Sequence, residues 1–583
     1  MKHLLLALLL VSSISFASES KKLNELLDTI WTWELKNSPV LATRMGQKQE
    51  VGRLADLSPE GLATQNQQAL QYMQSLNKIK VKRLDVSEQI SLSVQKLRLQ
   101  NQIDEYQFKG HYLPFTSESG FYSGLAFLPN THKFNSAADY EFYLQRLSDF
   151  PRYFAEQTHW LKEGLKSGMT QPREVLDIVP QLVQNFIHEN PTESGFYGPF
   201  AKDSVAFMND NDWLALQKQA QQVISNRVIV AYQKFYEFLN KEYLPGAKKT
   251  LGAITWPDGE AYYQNRAAYY TTTSLTADEI HQLGLSEVKR IRSEMQEVID
   301  SLQYEGDLAQ FIQFLRTDPQ FYAKTEDEIL RYAAYLSKRI DARLPKLFSY
   351  LPRTPYGVAP VPESIAPNYT TGRYISPTND TEPGYYWVNT YALDKRPLYA
   401  LPALTLHEAV PGHHLQIALS QELEDLPNVR RYTYISAFGE GWGLYSEYLG
   451  KEVDFYETPY DEFGRLSYEM WRATRLVVDT GIHTKGWTRQ QAVAYMLENT
   501  ALSEHNVRTE VDRYITWPAQ ALSYKIGELT IKRLRQEAET KLADKFDVRA
   551  FHKAVLAHGS VPLTTLEENI ARYISDTLKQ KDK

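Results

Sequence analysis

The sequence predicts a mainly α-helical fold with a small β-sheet. Apolar residues recur at three- and four-residue spacing over long stretches, as they do in helices that bury one face. One short run, residues 385–390, is aromatic and β-branched instead, which predicts a strand. The stretches with helical spacing are 24–35, 87–106, 137–166, 210–241, 277–302 and 326–347.

The chain opens with the pattern of a Sec-type export signal. A basic start precedes an apolar run over residues 4–11, which is too short to span a bilayer. Ser15 and Ala17 offer the small side chains of a signal-peptidase site, so residues 1–17 are predicted to be a signal peptide. The alternative is a buried N-terminal helix. We expect an exported, periplasmic protein; the chain has no cysteine, which argues against a lipoprotein anchor at this site and against disulfides.

The length of the chain predicts how many subdomains it forms, and its charge indicates which partners it disfavours. Residues 18–583 exceed what one hydrophobic core usually serves, which predicts two helical subdomains, 18–250 and 251–583. Thr276 and Glu279 predict a capping box at the start of one helix. The net charge of −7 comes without a basic block, which argues against nucleic acid as a partner. No later apolar run approaches the length of a membrane span, so we expect none in the mature chain. The oligomeric state is not predicted.

The stretch from His407 to His414 carries the chemistry. It reads His-Glu-Ala-Val-Pro-Gly-His-His and holds three of the thirteen histidines, with apolar runs on both sides. Ionisable groups in apolar surroundings are costly unless they are paired or bind a metal. Imidazole and carboxylate are good Zn²⁺ ligands, and a glutamate beside a ligand histidine is placed to deprotonate water. The sequence therefore predicts a zinc hydrolase centre; the alternative is a buried turn with hydrogen-bonded histidines.

The spacing of these histidines differs from the usual zinc motif, in which two histidines four residues apart share a helix face. Here the fourth position is Pro411, which cannot bind metal and disfavours a continuous helix. A break at Pro411 and Gly412 would turn His413 towards His407. His414 would stay on the same face of an unbroken helix, but roughly 10 Å along its axis. We therefore expect His407 and His413 to be ligands and His414 to support them.

A third ligand is expected in a second, glycine-rich block. A zinc site of this type needs three protein ligands and one open position. Glu440 lies where a helix-like pattern begins, between glycines that would let its backbone approach the first helix. Glu447 is seven residues later and shares the same helix face at a different height. We expect Glu440 to bind the metal and Glu447 to be a solvated surface carboxylate.

Several blocks in a fixed order resemble a known family. They are His407-Glu408-x-x-Pro411-Gly412-His413-His414, Glu440-Gly441-Trp442-Gly443-Leu444-Tyr445, Asp479-Thr480-Gly481-Ile482-His483, and Arg513-Tyr514-x-x-Trp517-Pro518-x-Gln520-Ala521-x-Ser523-Tyr524-Lys525-Ile526-Gly527. The combination resembles the bacterial domain-of-unknown-function family 885, as one family domain over almost the whole mature chain. Its members are regarded as zincin-type metallopeptidases, similar in fold to helical oligopeptidases and angiotensin-converting enzyme. The resemblance implies a zincin-like helical fold, with a small sheet beside the zinc helix and a deep cleft between two subdomains.

The resemblance also implies a ligand set and a base. His407, His413 and Glu440 would bind one Zn²⁺ per chain, and Glu408 would be the general base. Attack on a peptide carbonyl builds negative charge on its oxygen, which hydrogen-bond donors can stabilise. Tyr524, in the last block, is a candidate for this catalytic role.

Further candidates lie in the later blocks and in the strand. His483 is a second candidate for stabilising the oxyanion, oriented by Asp479 four residues earlier on the same helix face. Arg513 or Lys525 could bind a substrate carboxylate, for which arginine offers the better geometry. Asn389 would face substrate if a peptide bound along the strand as along a sheet edge, although a structural role is equally open.

The function that these residues favour is a zinc peptidase that cleaves short peptides. One alternative is a zinc hydrolase of a non-peptide amide or ester, which the same metal and base would serve. The other is an inactive relative that binds peptides, and the presence of Glu408 argues against it. The sequence does not distinguish endopeptidase, aminopeptidase and carboxypeptidase modes.

Overall fold

Helices make up most of the fold. The computed structural model describes residues 2–47, 52–363, 365–377 and 382–579; the side chains of residues 1–17, the predicted signal peptide, lie outside this description. The helices before residue 250 are α1 (Lys2–Asn37), α2 (Pro39–Arg44), α3 (Pro59–Asn77), α4 (Val86–Gln107), α5 (Phe121–Gly124), α6 (Leu128–Thr131), α7 (Ala137–Ser148), α8 (Phe150–Ser167), α9 (Val179–Gln184), α10 (Asp210–Val223), α11 (Val230–Phe238) and α12 (Leu244–Gly246).

The second half of the chain adds fifteen helices within the described ranges. They are α13 (Gly259–Thr271), α14 (Ala277–Ser301), α15 (Leu308–Thr317), α16 (Glu326–Asp341), α17 (Leu344–Leu347), α18 (Leu401–Glu408), α19 (His413–Gln421), α20 (Asn428–Arg431), α21 (Ser436–Glu452), α22 (Pro459–Lys485), α23 (Arg489–Asn499), α24 (Glu504–Thr516), α25 (Ser523–Leu542), α26 (Val548–Leu556) and α27 (Leu563–Lys579). Among the described residues, no helix has an apolar stretch long enough to cross a membrane.

The predicted helices are confirmed, but three of the stretches are interrupted. The stretch 210–241 divides into α10 and α11, each followed by a π-helical segment (Ile224–Ile229 and Leu239–Tyr243). The stretch 137–166 divides into α7 and α8, and the stretch 326–347 into α16 and α17. In both cases a proline lies in the first turn of the following helix, where its missing N–H does no harm. The capping box at the start of α14 is also confirmed, because Thr276 accepts from the Glu279 N–H and Glu279 accepts from the Thr276 N–H.

The chain forms two compact units. The first comprises residues 1–83, 96–251 and 255–259, and the second comprises 84–95, 252–254 and 260–583. Residues 84–95 of this second unit belong to α4 and the segment just before it. The sequence patterns had placed them in the N-terminal subdomain. All the predicted site residues lie in the second unit.

A three-stranded sheet lies in the second unit. Its strands are β1 (Tyr356–Pro360), β2 (Gly372–Ile375) and β3 (Gly384–Val388), in the order β1-β3-β2. β3 pairs with β1 in parallel and with β2 antiparallel, so the predicted strand is confirmed but is the centre of the sheet. The backbone hydrogen-bonding groups of β3 are therefore paired with a strand on both sides, and the expectation that a peptide pairs along this strand is wrong. β2 is an edge strand and packs on α18.

Candidate metal centre

The helix break in the histidine block turns His413 back towards His407. α18 ends at Glu408, and α19 begins at His413 after a cis peptide bond between Val410 and Pro411. At Gly412 a Cβ atom would lie 1.9 Å from the carbonyl oxygen of His407, so only glycine fits this close return of the backbone. The structure therefore has the broken helix that the Pro-Gly pair predicts.

Three predicted ligand side chains come together at this break. Glu440 Oε2 lies 3.6 Å from His407 Nε2 and 3.3 Å from His413 Nε2. One ligand atom from each of the three residues lies within 4.8 Å of the other two. The two imidazole rings are nearly perpendicular, with centroids 4.7 Å apart. The arrangement directs two ring nitrogens and one carboxylate oxygen at a common point.

Helix α21 brings Glu440 to the histidines because it approaches α18 closely. At Gly443 a Cβ atom would lie 2.7 Å from the His407 ring, which would force the two helices apart. One helix face of α21 then carries Glu440 and, seven residues on, Glu447. This close approach is the role that the alternating glycines predict.

Glu447 is buried and holds His407, so the expectation of a solvated carboxylate is wrong. Its side chain is 1% exposed, and its Oε1 lies 2.8 Å from His407 Nδ1. Arg472, on α22, lies 3.4 Å from the same oxygen. The seven-residue spacing from Glu440 was the available signal: a carboxylate on the ligand face of α21 can reach the far nitrogen of a ligand histidine.

The charges of this cluster depend on one another. Burial lowers the pKa of His407, but Glu440 and Glu447 outweigh it and raise this pKa to about 9. Burial raises the pKa of Glu440, but His413 and His407 outweigh it and hold the pKa well below its usual value. The pocket thus favours cationic charge between its carboxylates, which a proton or a metal cation can supply.

Glu408 is positioned by the backbone of the edge strand. Its Oε2 accepts a 2.7 Å hydrogen bond from the Tyr374 N–H on β2. The Tyr374 hydroxyl lies 3.0 Å from His414 Nδ1. His414 is therefore linked to the strand that holds Glu408 and is not part of the three-residue cluster. Burial lowers the pKa of His414 to about 4, so it is neutral near pH 7.

Two tyrosines accompany the cluster. Tyr434, just before α21, is 43% exposed, and its hydroxyl hydrogen-bonds to Glu440. It lies outside every motif block, which is why sequence patterns missed it. The predicted Tyr524 is half-buried on α25; Arg475 covers its ring at 4.2 Å, and it interacts electrostatically with Tyr434. Tyr524 thus remains a candidate for the oxyanion role.

His483 and Asp479 have other partners, so the predicted pair is wrong. His483 Nδ1 accepts from the Ala253 N–H, and its Nε2 donates to the Tyr514 carbonyl, which uses both ring nitrogens. Asp479 instead accepts from the Tyr263 hydroxyl at 2.6 Å and from the Ala519 N–H at 3.1 Å. Both residues fix backbone segments to α22, and His483 has no ring nitrogen left for an oxyanion.

Lys525 and Asn389 are structural, which overturns their predicted roles in substrate binding. The Lys525 ammonium is fully buried among Glu287, Glu469 and Glu528, at 2.5–3.0 Å. The Asn389 side chain is also fully buried. Its NH₂ donates to the carbonyls of residues 366, 369 and 370, and its oxygen accepts from the N–H of residue 391. Neither group has hydrogen-bonding capacity left for a peptide.

Arg513 is half-buried and already in use. It pairs with Glu510 at 3.4 Å, donates to Gln520 and lies over the Trp517 ring. Gln520 in turn reaches Ser436 at 3.5 Å, one helical turn before Glu440. Arg513 is thus linked through Gln520 to the start of α21, and its role towards substrate stays a prediction.

The chain belongs to a bacterial family of unknown function. Residues 39–570 match the family described as "Bacterial protein of unknown function (DUF885)", which confirms the motif resemblance. The fold is shared with "the putative lipoprotein from Colwellia psychrerythraea", at 28% identity and a TM-score of 0.87, covering 96% of this chain and 99% of that one. A "putative lipoprotein of unknown function from Shewanella oneidensis" is 20% identical, with a TM-score of 0.70, covering 95% and 99%.

More distant likeness adds nothing to the function. A Pyrococcus furiosus carboxypeptidase is 11% identical, with a TM-score of 0.32 over 96% of this chain and 98% of that one, which is too low to carry an argument. No curated protein matches the chain. The function must therefore be argued from the geometry of the second unit.

Proposed function

We propose that this protein is a zinc-dependent hydrolase that cleaves short peptides, with one Zn²⁺ per chain on His407, His413 and Glu440. The observation that carries the proposal is the convergence of these three ligand atoms within 4.8 Å, next to Glu408 in the sequence. Two imidazole nitrogens and one carboxylate oxygen form a donor set that suits zinc and leaves a fourth position open, as catalytic sites require.

The spacing of the donors fits such an ion. A tetrahedral zinc ion with bonds of about 2.0–2.1 Å holds its ligand atoms about 3.3 Å apart. The two distances from Glu440 Oε2 to the histidine nitrogens, 3.3 and 3.6 Å, are close to this value. Glu447 engages His407 at Nδ1, which leaves the Nε2 lone pair for a metal.

The residues around the cluster supply the rest of a hydrolytic mechanism. Zinc, when bound, acidifies water and polarises a carbonyl. Glu408 takes the proton of the attacking water and passes it to the leaving amine. The Tyr374 N–H holds one oxygen of Glu408, which fixes the direction of the other. The hydroxyl of Tyr524 donates to the oxygen on which charge develops, while the hydroxyl of Tyr434 is engaged with Glu440.

The preference for short peptides follows from the helical metallopeptidases that the family resembles. We expect cleavage of peptides of up to roughly a dozen residues, an extended length of about 40 Å. The proposed site of action is the periplasm, because residues 1–17 have the pattern of an export signal.

Hydrolysis of a peptide library before and after zinc removal tests the proposal. The zinc-loaded protein should cleave short peptides, lose this activity with a chelator and regain it with Zn²⁺, while casein and gelatin stay intact. Cleavage that survives complete metal removal would overturn the mechanism. Efficient digestion of the large proteins would overturn the size limit, and cleavage of esters or non-peptide amides alone would replace the substrate class.

A further inference from the structure

Arg373 precedes Tyr374, whose N–H binds the candidate base Glu408, and it has no ion-pair partner among the residues that the structure describes. It is exposed and follows Gly372 on the edge strand β2. Its guanidinium hydrogen-bonds with Tyr369, and Tyr524 and Glu408 also act on it electrostatically. Although the side chain as a whole is exposed, surrounding residues desolvate its guanidinium, which lowers the pKa of Arg373. The three neighbours outweigh this effect, and the net direction is upward. Arg373 therefore carries a full positive charge that interacts with the general base and the oxyanion candidate.

Four other cations in the second unit each have a carboxylate partner. Arg472 pairs with Glu447, Arg475 and Arg513 pair with Glu510, and Lys525 pairs with Glu287, Glu469 and Glu528. Drawing any of these cations away from its carboxylate would disrupt a buried ion pair, which is costly. Arg373 is different, since an incoming anion would meet it without displacing a protein carboxylate.

The sheet face that carries Arg373 also offers aromatic surface. Arg373 is paired with Trp387 and Ile375 with Tyr385 across the β2–β3 ladder, so these four side chains share one face. Tyr385 is 40% exposed and Trp387 is half-buried. The opposite face, with Tyr374 and Tyr386, is buried. The open face thus combines one unpaired cation with apolar rings, which matches a carboxylate flanked by an apolar side chain.

We propose that Arg373 binds the C-terminal carboxylate of the peptide substrate, so that the enzyme removes residues from the C terminus. This inference rests on the proposed peptidase function and specifies its substrate. Arginine binds a carboxylate through two parallel hydrogen bonds, which lysine cannot reproduce. An N-terminal ammonium would instead need a free carboxylate, whereas Glu440 faces two histidines and Glu408 is taken as the base.

Binding to the Glu408→Gln protein tests this assignment without requiring turnover. The probes are an N-acetylated peptide of neutral residues with a free C terminus, its C-terminal amide, and an amide that ends in glutamate. We expect the free acid to bind about 10- to 100-fold more tightly than the plain amide. Arg373→Ala should remove this difference by weakening the acid alone, and Arg373→Lys should keep part of it.

Arg331→Ala is the matched control, because Arg331 is 80% exposed on α16 and pairs with Asp327. It should leave the binding of all three probes unchanged. Circular dichroism and zinc content would report on folding, with Arg373→Gln as the replacement if the alanine variant does not fold.

Equal binding of acid and amide, or equal weakening of both by Arg373→Ala, would overturn the proposal. Arg373-dependent binding of the glutamate amide at the strength of the free acid would assign the site to side-chain carboxylates instead. Failure of the proposed peptidase function gives another result. The zinc-loaded protein would then cleave no peptide, whereas the difference in binding between the free acid and the amide could still be measured.

Discussion

At the residue scale, the carboxylate of Glu447 on α21 affects how His407 can bind a metal. Glu447 contacts His407 at the nitrogen opposite to the one that faces Glu440. A carboxylate in this position fixes the tautomer and orientation of a ligand histidine and increases its basicity. The pair therefore explains why a buried glutamate lies where a solvated one is expected.

Removing the Glu447 carboxylate should weaken metal binding without removing a ligand. Glu447→Ala should lower zinc affinity by about 10- to 100-fold, and Glu447→Gln should have a smaller effect because its oxygen still accepts a hydrogen bond. Competition with a chromophoric chelator measures this. Glu452→Ala is the control, since Glu452 lies on the same helix but pairs with Arg535. Unchanged affinity in Glu447→Ala would refute the positioning role.

The base assignment predicts a separation of metal content from activity. Glu408→Gln keeps the shape of the side chain but cannot take a proton from water, so hydrolysis should fall at least ~100-fold. Zinc content should stay near that of the native protein. Steady-state rates on a short peptide, together with metal analysis, test both statements. Native turnover in the variant would show that another group is the base.

At the element scale, the break between α18 and α19 is what makes two distant sequence positions into neighbours. His407 and His413 are six residues apart, and a continuous helix would not place both on one metal. The break depends on the missing side chain at Gly412, where the backbone passes against the carbonyl of His407.

Gly412→Ala should therefore damage both the fold and the metal centre. We expect a loss of about 1–3 kcal/mol in the free energy of unfolding, because the new Cβ overlaps backbone atoms that cannot move independently. Urea denaturation and zinc content measure the two effects. Gly124→Ala is the control, since a Cβ there meets no atom within 4 Å and its φ and ψ, −61° and −31°, are helical. A native-like Gly412→Ala protein with full zinc content would contradict this role of the break.

Asp479 on α22 holds the segment before α25, and its protonation should make the stability of the fold depend on pH. Burial raises the pKa of Asp479, which holds the Ala519 N–H, to about 7. The unfolded carboxyl loses its proton near pH 4, so between about pH 4 and 7 the native state binds more protons than the unfolded state. This carboxyl should therefore lower stability as pH rises through that range, by up to about 1.4 kcal/mol per pH unit.

Asp479→Asn should remove that contribution. The difference in unfolding free energy between variant and native protein, measured with urea from pH 4.5 to 7.5, should change in favour of the variant as pH rises. A difference that is independent of pH would show that Asp479 is ionised across the whole range in the folded protein.

At the scale of the whole molecule, short sequence patterns predicted those features that depend on residues close together in the chain. The helices, the strand at β3 and the clustering of His407, His413 and Glu440 follow from apolar spacing and from residues that break or permit a helix. The contacts of His483 with Ala253 and of Lys525 with Glu287 do not, because these partners lie far away in the sequence. Lys525, for example, finds Glu287 more than two hundred residues earlier in the chain.

Contacts between distant segments also explain which site residues the sequence patterns missed. Tyr434 and Arg373 lie in segments without a motif, and only the packing of α21 and the pairing of β2 with β3 bring them to the cluster. Glu447 carried a usable signal, since its spacing from Glu440 fixed its helix face. Its burial could not be read from that spacing, because it depends on α22 packing over the same face.

Metal content per chain in the native protein, His413→Ala and His414→Ala tests the central claim most directly. The account predicts about one zinc ion per chain in the native protein and in His414→Ala, and loss of zinc in His413→Ala, because His413, unlike His414, faces Glu440. Elemental analysis after dialysis against trace zinc gives the numbers, with circular dichroism to confirm folding. A native protein that binds no zinc, or full zinc in His413→Ala with loss in His414→Ala, would contradict the metal centre described above.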